Sequence, residues 1–300
     1  SIAIEQQFAP AYVGRAVAAQ ALEREDSAVI TDLNSAILLD SSFAEGYVER
    51  ARYYLAQGDT ARALQDLEQA QNLTPQSVEA QALKAETHLA QEDYGAARLA
   101  GERTLDMDIT RLDNYLVLAE AYLRLGENNA AVALMQTLLN YEPESSEGWQ
   151  FLGIAYKQMD QDDLAVDALD KAINFEPTLA QASYYRALIH VQRSEPSAAL
   201  PMLRVAIEQD QGWFEPRATL AEALLLAGDP GSAFFEINLS AGLIENDEQQ
   251  AAFHYWRGSA LEALGQVDTA RADWISLLAL PQNTVRDEWL NAAREHTIAP

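Results

Sequence analysis

Acid–base or metal chemistry in this chain would have to begin with four histidines, His88, His190, His254 and His296, because no cysteine is present to act as nucleophile or thiolate ligand. No two of them stand four residues apart, the spacing that sets a zinc-binding pair on one helix face. The acidic run DQDD, Asp160 to Asp163, invites a calcium loop. It lacks what such a loop needs: the sixth residue is Ala165 where a glycine must turn, and the twelfth is Lys171 where a bidentate glutamate must close the shell. The run is instead expected to cap the N-terminus of a helix. Glycine-rich phosphate loops and G-x-S-x-G elbows are absent from the sequence. Carboxylates abound, but no spacing singles out a pair for catalysis. The expectation is a protein with no catalytic residue, no cofactor and no metal, and not an enzyme.

Composition narrows the partners. The 300 residues carry 46 acids against 20 bases, a formal charge of −26, which repels nucleic-acid phosphates and anionic lipid at long range. Nucleic-acid binding is not expected. No apolar run approaches the roughly 20 residues that cross a bilayer, so direct membrane insertion is not expected either. The chain opens at Ser1 without a charged and apolar leader, and is expected to be a fragment or a processed product whose anchor or signal came earlier. Its compartment stays open between cytoplasmic and extracytoplasmic.

The elements that position these side chains follow from an internal period. In Ser146 to Leu179, Trp149, Leu152, Gly153, Tyr156, Ala165, Leu169, Ala172 and Pro177 occupy positions 4, 7, 8, 11, 20, 24, 27 and 32 of a thirty-four-residue frame. One frame earlier, Tyr115, Leu118, Ala119, Tyr122, Ala131, Met135, Leu138 and Pro143 fall at the same eight positions. The frame from Ala44 carries Tyr47, Ala51, Tyr54, Ala63, Leu67, Ala70 and Pro75 at those positions, that from Val78 is a weaker version, and further frames start at Ala180 and Phe214. The phase then slips by three in AGLIENDEQQ, expected to be a polar loop, and resumes from Ala251. A degenerate frame with one extra residue starts near Ala9. Apolar steps of three and four in both halves, with breakers such as Gly58-Asp59-Thr60 and Gly228-Asp229-Pro230 between them, make each frame two helices. Small residues at positions 8 and 20 let the two helices of a hairpin approach. His88, His190 and His254 then sit where sister frames place packing residues, and His296 reads as a helix-end cation.

This pattern resembles the tetratricopeptide repeat over residues 9 to about 284, most specifically from Leu112 to Leu179. The resemblance implies an all-α solenoid of about eight helical hairpins in a right-handed superhelix, near 9–43, 44–77, 78–111, 112–145, 146–179, 180–213, 214–250 and 251–284. Residues 1–8 form a leader and 285–300 a capping helix and tail, with Trp289 and Leu290 to cover the last apolar face.

In that family, positions 2, 5, 9 and 12 of the first helix line a concave groove. Carried onto this sequence, they nominate Glu86, Leu89, Leu116, Glu120, Leu123, Ile154, Tyr184, Leu188, Val191, Glu222, Leu225 and Tyr255 as partner-binding residues. Acids at position 2 have a helix-dipole explanation, but Glu86, Glu120 and Glu222 lie mid-helix and do not. The implied partner is a protein or peptide carrying basic and apolar side chains. The Lys and Asn clamp with which relatives grip acidic chaperone tails is replaced here by Glu, Leu, Val or Tyr, so that subclass is not expected. Two alternatives remain: a structural assembly protein that self-associates into a homo-oligomer, and the recognition arm of a longer chain with its catalytic or anchoring part elsewhere.

Overall fold

The computed structural model describes residues 8–22 and 26–298, and among these it contains seventeen α-helices, two short 3-10 turns and no strand. The chain divides into two compact units, Ser1–Pro143 and Glu144–Pro300. The first holds four antiparallel pairs: α1 (Ala9–Ala21) with α2 (Asp26–Leu39), α3 (Ala44–Ala56) with α4 (Thr60–Leu73), α5 (Val78–Ala90) with α6 (Tyr94–Met107), and α7 (Leu112–Arg124) with α8 (Asn128–Tyr141). The second holds α9 (Ser146–Gln158) with α10 (Asp162–Phe175), α11 (Ala180–Gln192) with α12 (Pro196–Gln209), α13 (Phe214–Leu226) with α14 (Pro230–Leu239), and α15 (Asp247–Ala263) with α16 (Val267–Ala279). A final helix, α17 (Asp287–Ile298), packs on α16. Within each unit the first helices also touch one another, α3 on α1 and α5, α11 on α9 and α13, which makes a continuous face of first helices.

One backbone device closes seven of the hairpins. Position 15 of the frame is left-handed in each: Gly58 (φ 74°), Gly126 (73°), Gly228 (78°) and Gly265 (76°), but also Glu92 (60°), Asp160 (56°) and Ser194 (58°). The next N–H reaches back to the carbonyl of position 11, as in Asp59 to Tyr54 at 2.8 Å and Gln161 to Tyr156 at 2.9 Å. This is the helix stop that satisfies orphan carbonyls and turns the chain.

Close approach is enforced at the expected small residues. Ala63, Ala97, Ala131, Ala165, Ala199, Ala233 and Ala270, all at position 20, are fully buried. At position 8 of the fifth hairpin, a Cβ on Gly153 would lie 2.6 Å from Leu169 Cγ and 3.2 Å from the Leu169 backbone nitrogen, so only glycine fits.

Three hairpins replace part of this apolar packing with an ion pair between positions 7 and 23 or its equivalent. Arg50 donates through Nε and Nη2 to Asp66, both at 2.7 Å; Arg15 pairs with Asp32; and Arg257 Nη2 reaches Asp273 Oδ1 at 2.6 Å. The three carboxylates are buried while the arginines keep partial access to water. His254 adds a bond to Asp273 at 2.8 Å. Burial pushes the Asp273 carboxyl up, but the bonds from His254 and Arg257 outweigh it and hold it below the ordinary carboxylate value.

Three local expectations are corrected. Asp162 and Asp163 occupy the first turn of α10, whose N-cap is Gln161 without a side-chain cap bond. The capping role falls to Asp59, Asp93 and Asp229, which each accept from a backbone N–H three residues on. The AGLIENDEQQ insertion is only partly loop: Ala241–Leu243 is a 3-10 turn, and α15 opens at Asp247 with Asn246 accepting from the Gln249 N–H at 2.9 Å. His296 is more than a helix-end cation, since it bonds Glu262 at 2.7 Å and stacks on Trp274 at 5.3 Å, tying α17 to α15 and α16.

Candidate functional site

The first-helix face of the N-terminal unit is acidic but largely paired with itself. Glu79 accepts from Arg111 Nη1 at 2.5 Å and from Arg52 Nη2, while Arg111 Nε also holds Asp113 at 2.9 Å. Burial pushes the Glu79 carboxyl up, yet its two arginines more than reverse this and leave it below the usual range. Glu120 lies 3.7 Å from Arg124 one turn on. Glu86 is half-buried, and burial raises its carboxyl against the opposing pull of Arg52. Leu89 and Leu116 are half-buried and Leu123 is buried. Arg111 was not among the residues that the frame nominates, because it stands in the connection before α7 and not on a first helix.

The C-terminal unit is different. Here α11, α13 and α15 surround a cavity of about 640 Å³ that the segment before α17 helps to enclose. Tyr184, Leu188, Val191 and Gln192 come from α11, and Glu222 comes from α13 with Phe214, Glu215, Ala218 and Thr219. Asn246, the N-cap of α15, lines it too, with Glu248, Gln249, Ala252 and Trp256 of that helix. Asn283, Thr284, Val285, Arg286 and Trp289 complete the lining from the 3-10 turn and α17. Four of the twelve nominated residues are thus brought together. Leu225 and Tyr255 pack beside the cavity in the surrounding cores, Tyr255 stacked on Trp289 at 4.9 Å. Ile154 is buried, so its side chain, like that of Leu123, presents little free surface.

Charge in this cavity is unevenly satisfied. Glu215 accepts from Gln249 Nε2 at 2.9 Å. Glu222 makes no hydrogen bond or ion pair among the described residues, and burial pushes its carboxyl up to about 7, opposed by Arg286 and reinforced by Glu288. Burial likewise raises the Tyr184 phenol, whose hydroxyl is hydrogen-bonded with Thr219. Arg286 lies over the Trp289 ring at 4.6 Å. Two walls of this cavity lay outside the reach of a periodic reading. They are built by the phase-slip insertion and by the approach to the last helix, segments that have no sister in the other frames.

Among the described residues no cluster of three His, Asp or Glu side chains is placed to hold a metal ion, and no helix is long and apolar enough to cross a membrane.

Residues 48–111, 88–153 and 146–179 each match a family model described as tetratricopeptide repeat. The fold is similar to a tetratricopeptide repeat protein from Parabacteroides merdae, at 18% identity and a TM-score of 0.61, over 85% of this chain and 99% of that one. It is similar to a chain of the APC/C hetero-tetramer Cut9–Hcn1 at 14% identity and a TM-score of 0.72, over 90% of this chain and 52% of that one. A thermophilic tetratricopeptide repeat protein in Thermus thermophilus is similar at 23% identity and a TM-score of 0.51, over 61% of this chain and 99% of that one. No curated protein matches the sequence. With hairpins of this period, closed at small residues and stopped by a left-handed turn, the chain is a tetratricopeptide repeat protein.

Proposed function

We propose that this chain is a non-catalytic scaffold that holds a protein or peptide segment bearing basic and apolar side chains on the first-helix faces of its repeats. Tetratricopeptide repeat proteins are in general non-catalytic interaction scaffolds, and the particular chemistry of this face is what the proposal adds. The observation that carries it is the cavity of the C-terminal unit, where three nominated residues, Tyr184, Leu188 and Val191, converge with a fourth, the unpaired Glu222. Apolar walls retain a segment by burial, and the acidic excess attracts a basic one and repels nucleic acid.

The test is fluorescence anisotropy with three peptide panels matched in length: basic–apolar, acidic–apolar and neutral–apolar. The basic–apolar panel should bind most tightly and lose affinity as salt shortens the Debye length below about 8 Å. Reversing Glu86, Glu120 and Glu222 together to Lys should remove that preference. Equal binding of all three panels, unchanged by the reversals, would place recognition on another surface.

A further inference from the structure

The cavity of the C-terminal unit carries a more specific demand. Tyr184, Leu188, Trp256 and Trp289 give it aromatic and aliphatic walls. Glu222 stands among them half-buried and without a donor among the described residues. Three glutamates, Glu215, Glu222 and Glu248, line the cavity against one arginine. Glu215 is occupied by Gln249. Arg286 is turned largely to solvent, its side chain 69% exposed and its ion partner the equally exposed Glu288 at 3.8 Å. A carboxylate with no donor, in a cavity whose walls are part aromatic and aliphatic and part polar, suits a cation that tolerates partial loss of water.

Guanidinium fits that description better than ammonium. It is flat, weakly hydrated, stacks on aromatic faces and offers a fork of donors to a carboxylate, whereas the lysine head is a compact and strongly hydrated point charge. The protein already uses this chemistry at the cavity mouth, where its own Arg286 lies over Trp289.

We propose that the cavity is a specificity pocket for one arginine side chain of the bound partner segment, with the guanidinium paired to Glu222 and the methylene stem against Tyr184 and Leu188. The inference rests on the partner-binding reading above and adds the residue that the partner must carry. At about 640 Å³ the cavity is larger than one side chain, so part of a flanking residue enters with the arginine.

Binding through Glu222 would depend on pH. The groups facing it are Glu215 on its own helix, Tyr184 from α11, Glu248 and Tyr255 from α15, and Arg286 and Glu288 from the terminal segment. Since burial raises this carboxyl to about 7 and guanidinium pairs with the ionised form, affinity should rise with pH through that value. Between about pH 6 and about pH 8 the ionised fraction climbs roughly tenfold.

The experiment uses the full chain, immobilised, and two pools of acetylated and amidated heptapeptides with random flanks. One pool has arginine at the centre and the other citrulline, which keeps the shape and removes the charge. Retained sequences are identified by mass spectrometry and titrated individually at both pH values. Arginine peptides should be retained, bind about tenfold more weakly at the lower pH, and lose at least tenfold on conversion to citrulline. Glu222→Gln should abolish both the pH dependence and the arginine preference. If retained peptides bind alike as arginine and citrulline forms, the pocket assignment is overturned while partner binding stands. If neither pool is retained, the partner-binding reading fails and the pocket with it. The citrulline comparison is made on the unaltered chain, so it decides the matter even if the Glu222→Gln variant folds poorly.

Discussion

Each unit builds a face of first helices, and the two units satisfy the charges of their faces to different degrees. In the N-terminal unit most of the acids are met from within: Arg52 and Arg111 close on Glu79 and Arg111 holds Asp113, while Glu86 has only the pull of Arg52 and Arg111 without a bond. In the C-terminal unit an insertion before α15 and the approach to α17 fold around the face and leave Glu222 unmatched inside a cavity. The repeat frame is common to both. The difference lies in segments outside it: the solenoid encloses a cavity where its periodicity is interrupted.

The largest expected effect comes from removing the side chain that joins the terminal helix to the cavity. Trp289 is buried, stacks on Tyr255 and supports Arg286. Trp289→Ala should destabilise the C-terminal unit by about 3–5 kcal/mol and open the cavity, because a large core side chain is lost together with its packing. Coupling in repeat arrays passes between neighbours, so the N-terminal unit should keep its hydrogen-exchange protection. Uniform loss of protection across both units would break the comparison.

How much of this was legible in the sequence depended on whether a residue had sisters one frame away. The helices, the fully buried alanines at position 20 and the forbidding contact of Gly153 with Leu169 follow from residues that recur, so a single period exposed them. Glu222, Tyr184, Leu188 and Val191 were nominated through the resemblance, whose groove positions the period carries onto this chain, and they do share a cavity. Asn246, Glu248, Gln249, Asn283, Thr284 and Arg286 stand in the insertion or at and beyond the end of the last frame and carry no periodic signal, so about half of the cavity's polar lining was invisible, as was Arg111 in the first unit. The buried ion pairs were an intermediate case. Arg50 with Asp66 and Arg257 with Asp273 are each sixteen residues apart at the same two frame positions, a covariation within one chain that reading single positions overlooks.

Those ion pairs sharpen the comparison at the next level of effect. Asp66→Asn in the N-terminal unit and Asp273→Asn in the C-terminal unit each leave an arginine facing a neutral amide, and each should cost about 2–3 kcal/mol, less than a fully buried pair because the arginines reach water. Asp273 is held below the ordinary carboxylate value in the fold, so its contribution is present above the unfolded value of about 4 and is lost as pH falls through the lower folded one. Urea midpoints measured down an acid series should therefore drop less steeply in Asp273→Asn than in the parent. An unchanged acid limb would show that the cluster of His254, Arg257 and Asp273 is not coupled to folding.

The smallest effect tests whether the two units share one turn. Position 15 is left-handed in both, and it is glycine in Gly58 and Gly126 of the first unit and Gly228 and Gly265 of the second. Glu92 in the first and Asp160 in the second adopt the same conformation with a Cβ, at φ of 60° and 56°. That strain is about 1–2 kcal/mol for an ordinary residue, and glycine relieves it while surrendering about 0.5–1 kcal/mol through the greater freedom of its unfolded chain. Both side chains are exposed, so little else is lost on their removal. Glu92→Gly and Asp160→Gly should each stabilise the protein by up to about 1 kcal/mol, and the two gains should add because the sites lie in different units. Aspartate tolerates this conformation better than glutamate, so the gain at Asp160 should be the smaller of the two. Denaturant melts of the single and double variants measure this directly. A loss at either site would mean that its turn is held by something other than the left-handed stop common to the seven hairpins.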